Sequence, residues 1–106
     1  MKTNFSMLFY MKKQKNYTTG PAPIYLRITV EGKRAELAIG RECDPERWNG
    51  KLGRATGTKE EIKSFNAFLS NYQSRVYQTH SLLYERRESI TAEAIKNKLL
   101  GFHPLH

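Results

Sequence analysis

The sequence predicts an α+β fold in which a three-stranded antiparallel sheet packs against a long helix, followed by a short second helix. Three observations predict it. Residues 23–40 alternate apolar and polar side chains about a glycine turn, residues 5–11 alternate in the same way, and apolar residues recur at three-four spacing between Ile62 and Leu83. A chain of 106 residues has room for one small core. The expected organisation is a unit over residues 1–88, with the sheet at 5–40 and the long helix at 59–88, then a short helix and linker over 89–106.

In the first strand Phe5, Met7 and Phe9 face the core while Ser6, Leu8 and Tyr10 face outward. Residues 12–23 read as a basic, turn-rich loop, because Gly20, Pro21 and Pro23 do not fit inside a ladder. In the second strand Ile24, Leu26, Ile28 and Val30 point one way and Tyr25, Arg27, Thr29 and Glu31 the other. Ala35, Leu37 and Ile39 carry the apolar side back. A Gly32-Lys33 turn pairs Val30 with Ala35, and a Glu31-Gly32 turn pairs it with Lys33. The two registers differ by two residues, so both keep Leu37 and Ile39 on the core face. A solvated face would show cross-strand pairs such as Thr29 beside Glu36.

After Gly40, Asp44 caps a turn opened by Pro45, and Trp48 arrives one turn later to plug the end of the sheet core. The glycine-rich stretch 51–57 reads as a mobile connection. Thr58-Lys59-Glu60-Glu61 has the form of a capping box. The helix after it carries Ile62, Phe65, Leu69, Tyr72, Val76 and Leu83 on one stripe, with Thr79 in the missing position and Phe68 widening it. From 59 to 88 it would run roughly 45 Å at about 1.5 Å per residue. Three strands cannot cover that length, so its rear projects, bends or is covered. The final segment is the candidate cover: Thr91 is placed as an N-cap, Ile90 and Ile95 as a hydrophobic staple, and Gly101 as the C′ residue.

Eighteen Lys and Arg against ten Asp and Glu give a net charge of +8. Residues 1–54 hold eleven basic and five acidic side chains, and the remainder hold seven and five, so the sheet half carries the positive field. A polyanion is the natural partner of such a surface. The single cysteine, Cys43, excludes an internal disulfide and points to a reducing, cytoplasmic compartment. No apolar run approaches the roughly 18 residues of a membrane span, and the opening residues are too short for a signal peptide. Cys43 and the histidines at 80, 103 and 106 lack metal-ligand spacing, and the glycines at 50, 53 and 57 form no phosphate loop. No cofactor, small-molecule substrate or catalytic constellation is expected, and Cys43 reads as a small apolar residue.

Tyr25, Arg27, Thr29 and Arg34, joined by Tyr10, share the face opposite the core and are the candidates for reading bases. Arginine pairs bidentately with guanine, and threonine bonds a base edge or touches a thymine methyl. Lys12, Lys13, Lys15, Lys33, Arg41, Lys51 and Arg54 are candidates for phosphate contact, which fixes register without reading sequence.

The run Pro23-Ile24-Tyr25-Leu26-Arg27-Ile28-Thr29-Val30 with Gly32-Lys33-Arg34, then Trp48-Asn49, Ile90-Thr91-Ala92-Glu93 and Leu100-Gly101, resembles the amino-terminal arm-type DNA-binding domain of tyrosine-recombinase integrases from conjugative transposons and related mobile elements. The resemblance implies a three-stranded sheet, backed by a helix, docking in the major groove of double-stranded DNA at arm-type sites. It implies a bacterial, nucleoid-associated protein whose full-length form meets other integrase protomers and continues into core-binding and catalytic regions. This chain has neither the His-x-x-Arg motif nor the length of the catalytic domain, so it is expected to bind and not to cut. Family sheet faces often carry a basic residue where Tyr10 stands and a more polar one near Leu8.

Two rival readings use other features. A protein-interaction module would present the stripe of Leu69, Tyr72, Val76 and Leu83 to a partner helix. A single-stranded RNA-binding domain would stack bases on its tyrosines.

Overall fold

The structure, a computed structural model, describes residues 4–101. His103 and His106, with the rest of the segment after Gly101, lie outside the described residues, as do residues 1–3. The fold is α+β. Strands β1 (Phe5–Met11), β2 (Ala22–Val30) and β3 (Lys33–Cys43) form an antiparallel sheet in sequence order. A 3₁₀ turn (Pro45–Arg47), a small hairpin of β4 (Trp48–Asn49) and β5 (Arg54–Ala55), and helices α1 (Glu60–Glu85) and α2 (Ala92–Leu100) follow.

The alternating pattern does what it predicts. Every second residue of β2 from Ala22 to Val30 is buried, and Ala35, Leu37 and Ile39 of β3 join the same core. The register is the one with Val30 opposite Lys33. Both turn residues have positive φ, 51° at Glu31 and 80° at Gly32, which is a type I′ turn and suits the twist of the flanking strands. Glu31 is an unusual residue for the first position. Its backbone N–H donates to Asn4 O at 2.9 Å and its carboxylate accepts from the Asn4 N–H, so the end of β1 holds the turn.

Two boundaries differ from the sequence expectation. Strand β2 begins at Ala22 and includes Pro23, whose carbonyl accepts from Lys12 N at 3.0 Å. The β2–β3 register shifts between Pro23 and Tyr25, and a proline is tolerated beside such an irregularity because the ladder is already interrupted. On the partner strand Gly40, at φ 78°, lets β3 continue to Cys43 instead of stopping.

Residues 51–57 hold structure where a mobile connection was expected. β4 and β5 pair Trp48 with Ala55 and Asn49 with Arg54. The Asn66 side chain of α1 then acts as one more strand. Its Oδ1 accepts from Ala55 N and its Nδ2 donates to Ala55 O, each at 2.9 Å. Gly53 lies on the outer edge of β1, where an added Cβ would stand 3.3 Å from Phe9 O. Asp44 caps the preceding 3₁₀ turn by accepting from Glu46 N at 3.0 Å. Trp48 is half-buried, edge-on to Phe65 at 6.5 Å.

The capping box at Thr58 does not form. Helix α1 starts at Glu60 with Lys59 as its N-cap, which leaves Thr58 one residue too early for its hydroxyl to meet the Glu61 amide, and no side chain caps this end. The stripe itself is buried throughout: Ile62, Phe65, Leu69, Tyr72, Val76, Thr79 and Leu83. Thr79 is satisfied by donating to Arg75 O at 2.8 Å. The helix ends in a Schellman arrangement, with Glu88 N donating to Leu83 O and Arg87 N to Tyr84 O, and Arg87 takes the left-handed position at φ 56°.

The rear of α1 is covered by α2, which also lies against β2 and β3. Thr91 caps α2 by accepting from Ala94 N at 3.0 Å, and Ile95 is fully buried with Ile90 packed against the core. Gly101 occupies the C-cap position with right-handed φ −68°, so the expected left-handed C′ glycine is not used. Ala92, Ile95 and Leu99 belong to one cluster with the sheet and α1 residues. Phe9 against Tyr72, and Phe5 against Tyr77 and His80, tie α1 to β1. Both helices thus lie on one side of the sheet.

Candidate nucleic-acid interface

Among the described residues, nothing covers the other side of the sheet. Strand pairing arranges its outward side chains in three rows: Ser6–Thr29–Arg34, Leu8–Arg27–Glu36 and Tyr10–Tyr25–Ala38. All five base-reading candidates, Tyr10, Tyr25, Arg27, Thr29 and Arg34, therefore stand on one surface. With strands about 4.8 Å apart, the face is roughly 10 Å across. The major groove of B-DNA is about 12 Å wide and accepts β-structure of this size.

Arg27 occupies the middle of that face. Its Nε donates to Glu36 Oε2 at 2.9 Å, and its guanidinium carbon lies 4.6 Å from the centre of the Tyr10 ring. The pair is on the surface, with side-chain exposures of 29% and 33%. Fixing the guanidinium through Nε leaves its two terminal amino groups as an end-on fork. The Tyr10 hydroxyl and then Arg27 hold the Glu36 carboxyl below the usual carboxylate range, while Glu36 raises Arg27. Burial first, and the Glu36 carboxylate second, push the Tyr10 phenol up. The sequence pairing of Thr29 with Glu36 is replaced by Arg27 with Glu36, because the Glu31-Gly32 turn sets the register. The signal for that choice was the glycine as the second of two turn residues, where a type I′ turn favours it.

The phosphate candidates divide. Lys12, Lys13, Lys15, Lys33 and Lys51 are exposed. Lys12 Nζ sits 4.8 Å from the Tyr25 ring centre and Lys13 Nζ 5.3 Å from that of Tyr17. Arg41 lies on the helix side of the sheet, its guanidinium carbon 4.4 Å from the Phe68 ring centre. The continuation of β3 past Gly40 keeps odd-numbered residues facing the core, which removes Arg41 from the open face. Arg54 is also sequestered. It donates to Gln73 Oε1 at 2.7 Å, packs over Phe9, and is lowered by burial.

Among the described residues no group of three or more His, Cys, Asp and Glu could hold a metal ion, and no helix is long and apolar enough to cross a membrane. Burial raises the Cys43 thiol, which is unfavourable for a nucleophile.

Residues 9–96 match a protein family described as an arm DNA-binding domain. The chain belongs to that family. No curated protein and no solved structure matched it. An arm domain is a DNA-binding module of integrase type and is non-catalytic. In this arm domain the matched residues include all three strands in whole or part, the β4–β5 hairpin, all of α1 and the first half of α2.

Proposed function

We propose that this arm domain recognises arm-type sites in duplex DNA by laying the open face of its sheet in the major groove, within a bacterial tyrosine recombinase carried by a mobile element. Tyr25, Arg27 and Thr29 meet base edges, with Tyr10 and Arg34 beside them, while Lys12, Lys13, Lys15, Lys33 and Lys51 meet phosphates. The recombinase acts at the nucleoid, in the cytoplasm. It uses this region to bridge distant arm sites to the crossover core and to assemble its protomers during DNA integration.

The observation that carries the reading is the position of Arg27: in the middle row of a sheet face that no described residue covers, held through Nε by Glu36 with its side chain 29% exposed. The rival features are less available. Leu69, Tyr72, Val76 and Leu83 are buried in the chain's own core, so this stripe is not free to meet a partner helix. Tyr10 and Tyr25 are overlaid by Arg27 and Lys12, which hinders their use as stacking platforms for single strands.

The test is an NMR titration with a duplex selected by the chain from a randomised library, beside a scrambled duplex. Shifts concentrated on β2 are expected, and shifts confined to the rear of α1 would refute the docking mode. Arg27→Ala should weaken binding to the selected duplex roughly tenfold to a hundredfold while relaxing discrimination at one base pair. Equal losses on selected and random duplex would remove the base-reading role. The parentage is checked by the reading frame beyond residue 106, where a tyrosine nucleophile with its arginine, lysine and histidine set is expected.

A further inference from the structure

Resting on the major-groove reading, we infer that Glu36 is a specificity-determining residue, joined to Arg27 as a donor–acceptor pair that matches the major-groove edge of one G·C base pair. Glu36 is the one acid in the three rows of outward side chains, and it stands in the middle row next to Arg27. A carboxylate at the centre of a surface that meets a polyanion repels every phosphate and every base acceptor brought to it. Arg27 offsets part of that charge, and the acceptor sites left on the carboxylate are matched where the DNA presents a donor.

The chemistry of a G·C edge supplies that donor in the right order. Guanine offers N7 and O6 as acceptors, and the cytosine N4 amine lies beside them as a donor. Arg27, held through Nε by Glu36 Oε2, directs its terminal amino groups to the guanine acceptors. A carboxylate has about four acceptor sites, so Glu36 keeps capacity for the cytosine amine after its bond to Arg27. An A·T pair in the same place keeps the N7 acceptor but reverses the two positions beside it. It sets the adenine N6 amine against Arg27 and thymine O4 against the carboxylate. Discrimination therefore comes as much from the mismatch imposed by Glu36 as from the match made by Arg27.

The low carboxyl pKa, set by the Tyr10 hydroxyl and Arg27, keeps Glu36 charged at neutral pH, as an acceptor-only group requires. Tyr10 supports the pair from β1, so the reading unit draws one residue from each strand of the sheet.

The experiment measures fluorescence anisotropy of the 106-residue chain, at one salt concentration, on the library-selected duplex, its single-base variants and a random duplex. Wild type, Arg27→Ala, Glu36→Gln and Glu36→Asp are compared after matched melting curves. Glu36→Gln should lose preference at the same base pair that Arg27→Ala relaxes. Its selected-to-random affinity ratio should fall roughly tenfold, with random-duplex affinity unchanged or higher. Glu36→Asp, which keeps the charge, should retain the sign of the preference. An unaltered base profile in Glu36→Gln, or a preference lost at a different base pair from Arg27→Ala, would overturn this inference alone. An unaltered profile in Arg27→Ala would remove the base-reading role of Arg27 beneath it as well.

Discussion

Asn66→Ala should be among the costlier substitutions of a half-buried polar residue in this chain. The Asn66 amide satisfies both backbone groups of Ala55, each bond 2.9 Å long, and Ala55 is only 5% exposed. Two such bonds contribute net about 0.5–1.5 kcal/mol each, and an orphaned buried group costs about 1–3 kcal/mol. Because Asn66 is half-buried, water can partly replace it, which places the expected loss near 2–3 kcal/mol. For a domain of this size that lowers Tm by about 10–20 °C. Urea unfolding followed by circular dichroism should show a lower midpoint with an unchanged slope. Asn66→Asp is the sharper companion, since it keeps an acceptor for Ala55 N but sets an oxygen against Ala55 O. It should be at least as destabilising at neutral pH. A loss below about 0.5 kcal/mol for Asn66→Ala, or a harmless Asn66→Asp, would refute the claim that this amide holds the β4–β5 hairpin to α1.

Replacing Lys13 and Lys15 together by alanine should weaken binding to all duplexes alike, and lower the slope of log affinity against log salt by about 1 for each phosphate no longer neutralised; a salt titration checks it. Arg87→Gly should stabilise by about 0.5–1 kcal/mol in urea unfolding, because the left-handed position at φ 56° disfavours a side chain. The Glu36 carboxyl is depressed on folding from an ordinary value of 4.5, so its contribution to stability is fully present above about that pH and is lost as pH falls through the lower folded value. The stability gap between wild type and Glu36→Gln should therefore shrink on acidification below pH 4.5, as measured by unfolding at a series of pH values.

The elements readable from sequence are those whose cause is local. Alternation over residues 24–39 fixed the faces even while the turn was undecided, since a two-residue slip leaves the faces unchanged. Thr91, Ile90 and Ile95 specified the start of α2 with neighbouring residues alone. What was not readable depends on partners distant in the chain. The β4–β5 hairpin has three glycines around it and owes its order to Asn66 and to close packing on Phe9. The Thr58 signal was present but unused, because the helix starts one residue later. Arg41 looked like a loop cation only because Gly40 looked like the end of a strand. Arg54 carries a charge that sequence assigns to solvent, while Gln73, nineteen residues on, takes it into a packed environment. On the open face, the five candidates could be placed together by parity, but the Arg27–Glu36 pairing needed the register.

Strand β1 is the outermost member of its sheet on one side, and an uncovered strand margin invites a second polypeptide to add itself there. Gly53 rests against the Phe9 main chain at that margin, so the tip of the small hairpin occupies part of the edge that an added strand would need. A second strand meeting this edge would find it partly occupied, and Gly53→Val, by pushing the tip away, should show as a new tendency to self-associate in analytical ultracentrifugation.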